Sequence, residues 1–118
     1  MKKIYYLSTC DTCRKILKEV APGPEVLLQD IKTEPMQPEQ VDEMARMAGS
    51  YDAIFSRKAV KYRELGLARQ TLSESDIRRY ILEEYTFLRR PVMICGDQIF
   101  VGNAEDTVRA AAIAFHAG

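Results

Sequence analysis

Cys10 and Cys13 stand three residues apart in Ser8-Thr9-Cys10-Asp11-Thr12-Cys13-Arg14-Lys15. At that spacing one thiolate can attack a disulfide or an oxidant, and the second sulfur can then resolve the product as an internal disulfide. The first step needs a thiol that ionises easily, and the flanking sequence supplies a place for one. Lys3-Ile4-Tyr5-Tyr6-Leu7 is a short aromatic and β-branched run, and Ile16, Leu17 and Val20 recur at helical spacing. The cysteines therefore fall where a strand gives way to a helix, and the unpaired N–H groups and positive dipole end of that helix favour a thiolate. Redox use competes with two plainer readings. Two buried structural thiols would have the same spacing. Zinc would need two further ligands, and the remaining Cys and His, Cys95 and His116, form no second close pair. A Cys-x5-Arg phosphate loop is excluded, because the residue six after Cys10 is Ile16.

Stepping outward, 118 residues at 47% hydrophobic content suffice for one compact core. Seventeen basic residues balance seventeen acidic ones, so overall charge offers no attraction for nucleic acid or an anionic membrane. Three cysteines are too few and odd in number for a secreted disulfide scaffold, and a reducing cytoplasm is the expected location. The apolar run before Cys10 is too short for a secretory leader, and no stretch approaches the roughly 20 apolar residues of a membrane span.

The elements follow from punctuation and periodicity. A strand over residues 3–7 leads to a helix from Asp11 to Val20, which Ala21-Pro22-Gly23-Pro24 ends. Glu25 to Asp30 reads as a second strand, so the opening is a βαβ unit with parallel pairing. Pro38 suits the first turn of a helix burying Val41, Met44, Ala45 and Ala48 and closed by Gly49. Ser50 to Leu72 reads as loop and short helix. Ser73-Glu74-Ser75-Asp76 begins a capping-box helix carrying Ile77, Tyr80, Ile81 and Tyr85 to about Glu84. Val92 to Cys95 and Gln98 to Val101 form a hairpin about Gly96-Asp97, and Asn103 is expected to cap a last helix burying Val108, Ala111, Ala112 and Phe115. Cys95 reads as core packing and His116 as a solvated residue of a fraying end.

The order β-α-β, helices, β-β-α, with a Cys-x-x-Cys at the first strand-helix turn and a proline opening the third strand, resembles the thioredoxin superfamily. Cys10-Asp-Thr-Cys13-Arg14-Lys15, Phe55-Ser56-Arg57, Tyr62-Arg63-Glu64-Leu65-Gly66-Leu67, and Leu88-Arg89-Arg90-Pro91-Val92 with Val101-Gly102 further resemble the ArsC/Spx family. The resemblance covers essentially the whole chain. It implies an α/β, glutaredoxin-like fold: a mixed four-stranded sheet in one domain over residues 1–118, with a helical insertion at about 35–86. It also implies roles. Cys10 corresponds to the attacking cysteine, Arg14 to the arginine at the helix start, Pro91 to a cis proline beside that cysteine, and Arg90 to an arginine that holds an oxyanion, with Arg57 the nearest candidate for another.

Three departures bear on substrate. Ser56 stands where the arsenate reductases place an arginine, with Arg57 one position on. Gly102-Asn103 replaces a further arginine, removing a charge-assisted bidentate partner from an oxyanion site. Cys13 stands where glutathione-dependent arsenate enzymes commonly lack a cysteine. The resemblance thus implies a thiol-dependent reductase acting on arsenate or an oxidised thiol, with no bound cofactor or metal and with glutathione and glutaredoxin, or thioredoxin, as electron donor. The alternative it implies is an Spx-like redox regulator that binds the RNA polymerase α subunit. A small thiol or redox protein is the expected partner of a monomeric chain, with no direct nucleic-acid contact. A glutaredoxin-like binding module without turnover is a third reading.

Overall fold

The computed structural model describes residues 1–117 and divides into two units, residues 1–35 with 90–117, and Met36–Arg89. The first holds the sheet. Strand β1 (Lys2–Tyr6) runs into helix α1 (Asp11–Val20), and β2 (Leu27–Asp30) returns parallel to β1, with Tyr6 opposite Asp30. Strands β3 (Val92–Cys95) and β4 (Gln98–Val101) form the hairpin about Gly96, whose φ of 62° suits glycine at the turn. β3 pairs antiparallel with β1, giving a mixed sheet of order β2-β1-β3-β4. Helix α5 (Glu105–His116) packs with α1 over that sheet. Their shared core is Ile4, Ile16, Val20, Val26, Met93, Val108, Ala111 and Phe115.

Sequence and structure differ at three points. β2 begins at Leu27 rather than Glu25, because Val26 N–H is taken by a turn to the Gly23 carbonyl. As an edge strand it leaves Leu27 and Leu28 59% and 48% exposed despite their apolar character. α5 is capped by Ala104, not Asn103, with no side-chain cap bond. His116 is no free end: its Nε2 lies 2.6 Å from the carbonyl oxygen of Val20, one of the orphan acceptors at the end of α1. α1 itself ends as the proline-glycine signal requires, with Ala21 in the left-handed region at φ 46°.

The second unit is helical. α2 (Pro38–Ala48) has Pro38 in its first turn and Gly49 at φ 104° beyond its last, burying Val41, Met44 and Ala45; Ala48 stays half-buried. A single 3₁₀ turn (Asp52–Ile54), the short α3 (Val60–Glu64) and another 3₁₀ turn (Leu67–Arg69) fill the region of weak periodicity. α4 (Glu74–Glu83) carries the full capping box: Ser73 Oγ accepts from Asp76 N–H at 3.1 Å and Asp76 accepts from Ser73 N–H at 3.0 Å. Tyr85 falls beyond it in a 3₁₀ turn, and Phe87 stacks on Phe55 and meets Tyr80 at a tilt. Among the described residues no helix is long and apolar enough to cross a membrane.

Candidate active site

β1 ends in a tight turn. Cys10 N–H donates to the Leu7 carbonyl at 3.0 Å, with Ser8 and Thr9 at its corners, and Cys10 becomes the N-cap of α1. The extended backbone of Cys10, φ −98° and ψ 117°, turns its thiol toward the start of the helix, although no full cap bond is closed. Cys13, one turn on, is fully buried. Both thiols are free, and Cys10 is half-buried.

The two thiols are shifted in opposite directions. Burial opposes a Cys10 thiolate, but it is outweighed by the backbone of Cys13, the Cys13 thiol, the backbone of Thr12 and the charge of Arg90, so Cys10 ionises below its ordinary value. Burial also acts on Cys13, and there it wins. With the Leu7 backbone resisting and the neighbouring Cys10 charge adding to it, the Cys13 thiol is pushed up to about 11. A sulfur that gives up its proton more easily beside one that holds it more tightly is the starting arrangement of dithiol exchange.

The candidate residues divide between the two units. Arg90 acts electrostatically on both sulfurs, and the Arg90–Pro91 bond is cis. The Pro91 carbonyl accepts from Gly102 N–H at 2.9 Å, tying the proline to the end of β4. Arg14 is engaged elsewhere: its Nη1 donates to the Ser8 carbonyl at 2.9 Å and its Nη2 pairs with Asp11. Arg90, distant in sequence, is thus a cation acting on Cys10, while Arg14 braces the turn. Arg57 lies in the helical unit, paired with Asp52 at 2.5 Å and set over the Phe55 ring. Ser56 contributes backbone, its N–H donating to the Phe87 carbonyl at 2.7 Å. Cys95 packs against the core with its sulfur 3.5 Å from the Ala114 carbonyl. Among the described residues no group of three or more His, Cys, Asp or Glu is placed to hold a metal ion.

Sequence reasoning overlooked Ser8 and Asp30. Ser8 Oγ donates to Asp30 at 2.5 Å and Ser8 N–H donates to the same carboxylate at 3.3 Å. A polar residue closing the apolar run of β2 was the only signal, and it reads equally well as a strand end.

A mixed sheet of order β2-β1-β3-β4, a dithiol at the β1–α1 turn and a cis proline opening β3 define a thioredoxin-like protein with a Cys-x-x-Cys site. The ArsC family profile matches residues 5–111, and the chain belongs to that family. It is 30% identical over 114 residues to "Global transcriptional regulator Spx 1" of Bacillus cereus, covering 92% of this chain and 85% of that one. It is 28% identical over 93 residues to an arsenate reductase of Yersinia enterocolitica, covering 77% and 66%. In structure it resembles an arsenate reductase from Vibrio cholerae, with a TM-score of 0.78 at 20% identity over 93% of this chain and 96% of that one.

Proposed function

We propose that the chain is a dithiol oxidoreductase of the ArsC family in which Cys10 attacks and Cys13 resolves. The observation that carries this reading is the opposed poise of the two sulfurs, one lowered by helix-start N–H groups and Arg90, the other held protonated at about 11. Cys10 thiolate attacks one sulfur of a substrate disulfide, and the other sulfur leaves as a thiolate. Forming the mixed disulfide removes the Cys10 charge that helps to raise Cys13, so Cys13 becomes easier to ionise at the moment it is needed. Cys13 passes its proton to the departing thiolate and attacks the Cys10 sulfur, breaking the mixed disulfide and expelling the second substrate sulfur as a thiolate. Two electrons have then moved to the substrate, and an external thiol donor, thioredoxin or glutathione with glutaredoxin, restores the pair.

An oxidised thiol suits this site better than arsenate. Gly102-Asn103 brings no guanidinium where the family resemblance expects one, and Arg90 is a cation whose charge acts on Cys10. A coupled assay of the purified protein against a model disulfide and against arsenate, with each donor in turn, tests this. Disulfide turnover with thioredoxin is the expected result. Arsenate turnover with glutathione and glutaredoxin would reverse the substrate assignment, and turnover of neither would remove the enzyme reading.

A second reading is favoured by one observation, the 30% identity to a relative named a global transcriptional regulator. In it the same Cys10–Cys13 exchange switches affinity for the RNA polymerase α subunit. Capture of the α subunit's C-terminal domain by one redox state and not the other would support it.

A further inference from the structure

Every polar group of Ser8 is engaged. Its N–H and O–H both donate to the carboxylate of Asp30, at 3.3 Å and 2.5 Å, and its carbonyl accepts from Arg14 at 2.9 Å. Ser8 is the first corner of the turn that Cys10 N–H closes onto the Leu7 carbonyl, two residues before the sulfur. Asp30 is well fixed to receive it. It ends β2 opposite Tyr6, the next rung is held by Ile31 N–H on the Tyr6 carbonyl at 2.9 Å, and its Oδ1 also accepts from Lys32 N–H at 3.2 Å. The loop beyond is secured by Gln29, 2% exposed, donating to the Glu34 carbonyl at 3.0 Å. A carboxylate on a rigid strand end thus grips the turn from one side, and Arg14, itself paired with Asp11, grips it from the other.

We propose that Asp30 is a positioning residue for Cys10, clamping the Leu7–Cys10 turn through both donors of Ser8 so that the sulfur meets the N–H groups at the start of α1. This rests on the reading of Cys10 as the attacking thiol. The N–H groups act over a short range, so a small displacement of the turn removes much of their effect. Asp30 is also negatively charged, and charge alone would act in the opposite direction: removing a nearby anion makes a thiol easier to ionise. The sign of the change therefore separates the two roles. Among the described residues, the charged and titratable groups that act most on Cys10 are Arg90 and Cys13, those around Ser8 include Asp30, Arg14 and Asp11, and Asp30 itself faces Ser8, Lys32 N–H and Thr33.

The test is the pH profile of Cys10 alkylation by iodoacetamide, read by peptide mass spectrometry in the reduced protein, for Asp30→Ala, Asp30→Asn and Ser8→Ala. Asp30→Ala is expected to move the profile to higher pH and to slow Cys10 at pH 7 about tenfold. Asp30→Asn keeps an acceptor for the Ser8 N–H and is expected to stay within about twofold of the unaltered protein. Ser8→Ala, which leaves the backbone bond to Asp30 intact and is the milder variant should Asp30→Ala fail to fold, is expected between them. An unchanged or lowered profile in Asp30→Ala and Ser8→Ala, or an Asn variant as slow as the Ala variant, overturns the proposal. Slow Cys10 alkylation in the unaltered protein would instead strike the dithiol reading itself.

Discussion

Unfolding the reduced protein in urea at pH 8 is expected to raise the alkylation rate of Cys13 by at least about 100-fold. The magnitude follows from the ionisation of the buried thiol. Folded, Cys13 is pushed up from 9.0 to about 11, so at pH 8 about one molecule in a thousand carries its thiolate; unfolded, about one in ten does. Complete burial of the side chain adds a steric block to that factor. Cys10 moves the other way. Lowered in the fold, it holds more thiolate at pH 7 than it does unfolded, so urea slows it there. The sign with pH is fixed too: native Cys13 should keep gaining about tenfold per pH unit up to about pH 11, while Cys10 levels off first. Iodoacetamide labelling in the presence of a phosphine reductant, read by peptide mass spectrometry, follows Cys10, Cys13 and Cys95 in one sample. Labelling of native Cys13 within tenfold of its unfolded rate, or ahead of Cys10, would refute the reasoning.

Arg90→Met should move the Cys10 alkylation profile to higher pH, and Arg14→Met should move it less, because Arg14 acts on the Ser8 carbonyl and Asp11 whereas Arg90 acts on the sulfur. Ser73→Ala should cost about 1 kcal/mol in urea unfolding by opening the capping box of α4. Ala21→Gly should gain about 1 kcal/mol in the same assay, since Ala21 ends α1 at a positive φ that glycine adopts without a Cβ penalty.

Much of the fold was legible because the chain signals its turns locally. Pro38, Gly49, Ser73, Gly96 and the Ala21-Pro22-Gly23-Pro24 run each act within a few residues, and the elements they bound were read correctly in kind. The failures occurred where a distant partner decides. His116 reads as a loose end until Val20, in another helix, offers it a carbonyl. Asn103 is a better capping residue than Ala104, yet the helix starts one residue later, after Gly102 has turned at φ 91° to bond Pro91. The site divides in the same way. Cys10 and Cys13 announce themselves by spacing, and Arg90 and Pro91 by family resemblance. Asp30 and Ser8 meet only because β1 and β2 pair in parallel, and Arg14, adjacent to Cys13 in sequence, gives its hydrogen bonds to Ser8 and Asp11.

The central claim, that Cys10 attacks and Cys13 resolves, is tested most directly by reacting the reduced protein with an aromatic disulfide and weighing the Cys10 peptide. In Cys13→Ser the aromatic thiol should remain on Cys10 as a stable mixed disulfide. In the unaltered protein it should be expelled and the Cys10–Cys13 disulfide recovered, and Cys10→Ser should leave Cys13 unmodified on the same timescale. A Cys10→Ser variant that reacts as fast as the unaltered protein at Cys13, or a Cys13→Ser variant that retains no adduct on Cys10, would contradict the account.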